Sequence, residues 1–159
     1  RSPSRGLGDV YKRQTLLNIE HRLKFIKKSP KDWEGFRDPK QKHWDEPIRP
    51  MLDLFTSLYL GGDNVILCSG RCQSEEADTR ASLASLLQTD FVLDDANVPG
   101  YFRPDKDRRE DSIIKSEALD QMLSDKFSPT LVFDDRPSVI RMWRDGGLKV
   151  ADVGYGEEF

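Results

Sequence analysis

The chain has 159 residues, with 25 Lys and Arg against 28 Asp and Glu, for a net charge of −3. That length suits one domain with a sizeable core, and the near-balance of charge excludes a broadly basic nucleic-acid binder, so any nucleic-acid contact has to be local. The mean hydropathy is −0.66, and no apolar run approaches the roughly 18 residues of a membrane helix. Together with the missing signal core in Arg1–Gly8, this predicts a soluble, cytoplasmic protein with no membrane partner. Two cysteines, Cys68 and Cys72, are too few for a disulfide framework and lack zinc spacing.

Between Asn18 and Pro47 the sequence is polar, with Trp33, Phe36 and Trp44 as isolated anchors. It reads as a small irregular cap beside a site, or as a packed surface loop. Ile48, Met51, Leu52, Phe55, Leu58 and Tyr59 recur three and four apart and predict a helix ended by Gly61-Gly62. Val65 to Cys68 is a short apolar run suited to a strand buried on both faces, and Ser69-Gly70-Arg71 is expected to break it. A helix is expected from about Glu75 to Gln88. Phe91-Val92-Leu93 reads as a strand, Asp94 to Gly100 as a loop and Tyr101-Phe102 as a short extended piece. Ser112 to about Ser124 reads as a helix with Ile114, Ala118 and Met122 inward. Thr130 to Phe133 is a further buried strand, and Pro137 opens a helix carrying Val139, Ile140 and Trp143. Leu148 to Val153 is the last strand. Strands alternating with helices predict an α/β fold with a mostly parallel sheet.

Functional groups in such sheets gather at the carboxyl ends of strands. Ser69-Gly70-Arg71 offers a hydroxyl, backbone N–H groups and a guanidinium, an anion cradle that on its own is also an ordinary turn. Asp134-Asp135 are adjacent carboxylates suited to Mg²⁺; the alternative is a solvated turn in which Asp135 caps the following helix. Lys115 lies four residues after Asp111, the spacing of an exposed helical ion pair.

Taken together, Ser69, Lys115 and Asp134-Asp135 stand in the order of motifs two, three and four of the haloacid dehalogenase superfamily. Arg103-Pro104, Asp111 to Lys115, Met142-Trp143-Arg144 and Val153-Gly154-Tyr155-Gly156 add detail, and from about Thr15 onward the chain resembles the 3′-phosphatase module of polynucleotide kinase-phosphatases, phage versions most of all. The resemblance implies a Rossmannoid parallel sheet flanked by helices with a minimal cap. It implies Mg²⁺-dependent hydrolysis of a phosphomonoester through an aspartyl-phosphate, with nucleic-acid 3′-phosphate ends as partner and nucleotides or other small phosphomonoesters as the rival substrate class. Ser69 then holds a phosphate oxygen, and Lys115 neutralises nucleophile and phosphoryl group. Arg22, Arg71, Arg103 and Asp111 belong to the substrate side. Asp134 and Asp135 hold Mg²⁺.

The family's first motif, Asp-x-Asp-Gly-Thr after an apolar strand, is expected just before Leu16. Tyr11, Arg13 and Gln14 stand where the two aspartates and the glycine belong. Asp9 to Gln14 reads as a translation of the transposon-end adapter used in sequencing libraries. Residues 1–14 are therefore expected to be a non-native leader, and 15–159 a phosphatase domain without its nucleophile, impaired as written. The other reading is divergence into a non-catalytic end-binding or interaction module. No kinase P-loop pattern occurs in the chain.

Overall fold

A computed structural model describes residues 15–42, 45–87, 92–156 and 158. Tyr11, Arg13 and Gln14, with the whole 1–14 segment, lie outside the described residues, as do Trp44 and Phe91.

The first described segment is helical rather than irregular. Strand β1 (Leu17–Asn18) pairs antiparallel with β2 (Glu46–Pro47). Between them lie α1 (Glu20–Lys27), α2 (Trp33–Arg37) and α3 (Pro39–Lys42). The Asn18 side chain accepts the Glu20 N–H at 2.9 Å, and Asp32 accepts the Gly35 N–H at 2.8 Å. Asp32 is the N-cap of α2, while α1 begins after Ile19 with no side-chain cap of its own, and polar composition obscured both helices. Ile19, Leu23 and Ile26 form a small core of their own with Phe36 against it. Trp33, expected to anchor, is 44% exposed.

The helix predicted around Leu52 is α4 (Arg49–Leu60), with Ile48 at its cap and Leu52 and Phe55 buried. It shares a core with Leu83 and Leu87 of α5 (Glu76–Leu87), which a 3₁₀ turn (Gln73–Glu75) precedes. Strand β3 runs over Leu67–Cys72, so Ser69-Gly70-Arg71 continues the strand instead of breaking it. Its partner is β4 (Gly100–Arg103), parallel, with the register slipping between Ser69 and Cys72.

Val92-Leu93 forms no strand. Asp94 turns the chain there, accepting the Asn97 N–H at 2.9 Å on its side chain and the Val98 N–H at 2.9 Å on its carbonyl. Arg80 takes the carbonyls of Leu93 and Val98 at 3.1 and 2.8 Å, which supplies hydrogen bonds a sheet ladder otherwise gives. The segment read as a short extended piece is the real strand.

Helix α6 (Asp111–Ser124) packs on β3 and on α7 (Pro137–Asp145). Strand β5 (Leu131–Asp134) pairs parallel with β6 (Lys149–Asp152). Leu119, Val139 and Trp143 form the core beneath. The result is α/β, with parallel strand pairs flanked by helices. Among the described residues β3 and β5 each have one strand partner and are not bonded to each other. No described helix is long and apolar enough to cross a membrane.

Candidate active site

The carboxyl ends of β3 and β5 open on one cleft of about 640 Å³. Ser69, Arg71, Lys115, Asp134 and Asp135 line it from the sheet side. Arg22, Trp33, Phe36 and Lys42 line it from α1–α3. The three groups picked out by sequence, two at strand ends and Lys115 on α6, therefore converge.

Asp134 is buried, and four donors meet it. Oδ2 accepts from Lys115 Nζ at 2.8 Å and from the Trp143 indole N–H at 3.1 Å. Oδ1 accepts the backbone N–H groups of Asp135 and Arg136 at 2.9 and 3.3 Å. Burial disfavours its charge, but Lys115 and these donors prevail, holding the carboxyl below the usual range. Burial works against Lys115 as well, yet Asp134, Cys68 and Asp111 hold its ammonium above the ordinary lysine value. The pair is thus charged at neutral pH. Asp111 is not the partner of Lys115: it bridges Arg103 at 2.5 Å and Arg136 at 3.2 Å.

Asp135 differs from its neighbour. Oδ1 accepts from the Thr15 hydroxyl at 2.9 Å. Oδ2 is buried with no hydrogen-bond partner. Burial, with Asp134 adding to it, raises its pKa despite Thr15, Lys115 and Arg136. It does not cap α7, whose N-cap is Arg136 and has no side-chain cap. Gly154 packs so tightly on the Asp135 backbone that a Cβ there would lie 2.9 Å from Asp135 Cα. This close approach fixes the loop that carries both aspartates.

The arginines play unequal parts. Arg103 is buried and spends its donors inside the protein, on the carbonyls of Gly70 (2.9 Å) and Arg109 (2.6 Å) and on Asp111. It builds the wall of the cleft. Arg22 is buried too, gripping Asp45 through two bonds of 2.8 and 2.7 Å and donating to the Phe36 carbonyl at 2.9 Å. Arg71 reaches the same Asp45 oxygen at 2.7 Å and Thr79 at 3.2 Å. Lys42 sits nearby, paired with Glu75. Burial and the charges of Arg71 and Arg22 push its pKa down to about 8. Ser69 Oγ accepts the Arg71 backbone N–H at 3.1 Å.

Sequence reasoning missed Asp45, the buried carboxylate that ties α1 to β3. It is one acid in a polar stretch, with no spacing to single it out. Lys42 was missed for the same reason. Trp143 was read as a residue of the short helix and of the motif Met142-Trp143-Arg144, without a partner; its indole N–H is a donor to Asp134. Trp143→Phe removes that donor and also leaves a gap where the larger indole packed, so it should cost at least about 1–2 kcal/mol in thermal unfolding; an unchanged Tm contradicts this.

The sequence model of the polynucleotide kinase PNKP phosphatase domain, of the haloacid dehalogenase type, matches residues 29–158. The chain belongs to this family. Two solved chains from Pnkp1/Rnl/Hen1 RNA repair complexes resemble it, with TM-scores of 0.63 and 0.62 at 29% and 30% identity. Each match covers 76% of this chain, which spans 38% and 41% of those chains. A protein of Autographa californica nuclear polyhedrosis virus described as a bifunctional polynucleotide kinase/RNA ligase is 38% identical over 53 residues, 33% of this chain and 7% of that protein.

Proposed function

We propose that this phosphatase domain belongs to enzymes that remove a 3′-phosphate from nucleic-acid ends, with Mg²⁺ as cofactor. The observation that carries the reading is the cleft's pairing of a charged Lys115–Asp134 couple with a buried, unsatisfied Asp135 oxygen. A buried carboxylate oxygen without a donor suits a hard cation. Asp134 at the end of β5 and Asp135 just after it would be its two ligands here; no cluster of three metal-binding side chains occurs among the described residues. The family's first motif is the expected third source.

When bound, Mg²⁺ supplies charge neutralisation to the phosphoryl oxygens. Lys115 is oriented by Asp134 to neutralise the nucleophile and the phosphoryl group. Ser69 holds one phosphate oxygen. Arg71 offers its partly exposed guanidinium to the anion, and Arg22 acts through Asp45 to aim it. Arg103 and Asp111 act as positioning residues, keeping the β4 end and the start of α6 together. The α1–α3 segment serves as the minimal cap. The free thiols Cys68 and Cys72 suit a reduced, cytoplasmic setting.

Residues 1–14 remain the non-native leader in this reading, and Tyr11 and Arg13 leave the chain without nucleophile or acid–base. Activity as written is negligible, since a missing covalent nucleophile costs on the order of 10⁵-fold. The test is turnover by the triple variant Tyr11→Asp, Arg13→Asp, Gln14→Gly. Release of phosphate from a 3′-phosphorylated oligonucleotide, faster than from a free nucleotide, supports the proposal. Preference for the free nucleotide sinks the substrate assignment.

Asp135 also makes a stability prediction. Its raised pKa means that its ionisation destabilises the metal-free fold as pH rises from about 4. Asp135→Asn should therefore raise Tm by a few degrees at pH 7 in chelator, a gain of about 1 kcal/mol, and the gain should shrink towards pH 3.5. A variant less stable at pH 7 contradicts the assignment of a strained carboxylate.

A further inference from the structure

The cap segment differs in charge from the rest of the chain. From Glu20 to Lys42 there are eight Lys and Arg against four Asp and Glu, although the whole chain is at −3. Within it, Trp33 is 44% exposed and lines the cleft. Lys31 Nζ lies 5.5 Å and the Arg37 guanidinium 5.7 Å from its ring centroid. Phe36 braces it edge-on at 6.0 Å, and Arg22, which grips Asp45, lies 4.9 Å over Phe36. A continuous stack thus joins the exposed ring to the Arg22–Asp45–Arg71 cluster. Across the cleft, exposed Arg108 and Arg141 provide further positive charge.

We infer that Trp33 is a base-stacking platform for a single-stranded nucleic-acid segment leading to the cleft, with Lys31 and Arg37 meeting its phosphates. The inference rests on the end-repair reading and locates what separates a polynucleotide from a small phosphomonoester. Every base offers a π-face, so stacking on indole tolerates any sequence, and the flanking cations track the backbone. Both cations sit on flexible stems, and phosphates draw them off the ring as a base takes the face. A free small phosphate ester gains nothing from Trp33.

The experiment is fluorescence anisotropy on the chain as it stands, with a 5′-labelled single strand of about ten nucleotides. Trp33→Leu keeps apolar bulk against Phe36 but loses the stacking face; Trp33→Phe keeps both. The expected result is binding about ten-fold weaker for Leu and within about three-fold of the original for Phe. Strands made wholly of abasic nucleotides should bind the original and Leu chains alike. DNA and RNA arms tell which polymer is preferred. Equal affinity of the original, Phe and Leu chains for the intact strand overturns the inference. Strands ending in 3′-phosphate and 3′-hydroxyl separate it from the reading beneath it: a Leu defect equal on both, with no phosphate preference in the original, keeps the platform and removes the 3′-phosphate assignment.

Discussion

Replacing Lys115 by methionine should remove about 3–5 kcal/mol of stability from the chain as it stands, because it leaves the Asp134 carboxylate buried without its cation. Lys115 lies on α6 with its side chain 11% exposed, and Asp134 is 5% exposed in its side chain. Water therefore cannot replace the lost charge. Trp143 and two backbone N–H groups still donate to Asp134, so the loss stays below that of a bare buried ion. For a domain whose total stability is about 5–15 kcal/mol, the change is large.

The sign with pH follows from the same groups. Asp134's folded pKa is lowered, so its contribution is present above the unfolded value near 4 and lost as pH falls through the folded one. The Lys115 pKa is raised, so its contribution holds below about 10.4 and is lost at higher pH. Cys68, pushed up to about 11 by burial, adds to that alkaline loss from about pH 9. Lys115→Met should shrink the acid limb and remove the lysine part of the alkaline one. Denaturant melts from pH 3 to about 12 check this; curves parallel to the original at every pH contradict it. In the motif-restored triple variant the same substitution should lower kcat by about 10²–10³, the usual effect of removing one charge-stabilising donor.

Asp45→Ala is the second large effect. Asp45 is 3% exposed in its side chain and compensates Arg22 and Arg71 at once. Without it two guanidinium groups face one another, with Lys42 close by, and removal of one partner from a buried pair costs about 3–5 kcal/mol. The loss should fall first on α1–α3, whose small core of Ile19, Leu23 and Ile26 is separate from the cores under α4 and α6. Hydrogen exchange should show faster opening over residues 19–42 than over α6 and α7. Uniform protection loss, or none, contradicts the account of Asp45 as the tie between cap and sheet. Asp45→Asn, which retains the acceptor, should cost less than the alanine.

The polar groups at strand ends were legible in the sequence because chemistry and chain position coincide there. Ser69, Asp134 and Asp135 were singled out this way and Lys115 by motif order, and the structure brings all four to one cleft. Partner choice was not legible. Asp111 and Lys115 have the spacing of an i,i+4 pair, yet Asp111 turns to Arg103 and Arg136 while Lys115 turns inward to Asp134. Tertiary charge decided, and periodicity carries no information about it. Val92-Leu93 misled for a related reason: of the two only Leu93 is buried while Val92 is exposed, and Arg80 satisfies the Leu93 carbonyl from outside the segment. The Asn18–Pro47 helices were hidden because they rest on one side-chain cap and a three-residue apolar core, too little to dominate a polar sequence.

The most direct test of the account is calorimetric titration of Mg²⁺ into two chains, the one described and the triple variant Tyr11→Asp, Arg13→Asp, Gln14→Gly. If Asp134 and Asp135 hold two points of a metal site completed by the first motif, the unaltered chain binds Mg²⁺ weakly or not at all. The triple variant should then bind it at least ten-fold more tightly, and Asp135→Asn within that variant should abolish the gain. Equally tight binding by both chains, or a gain that survives Asp135→Asn, contradicts the assignment of the metal to these aspartates.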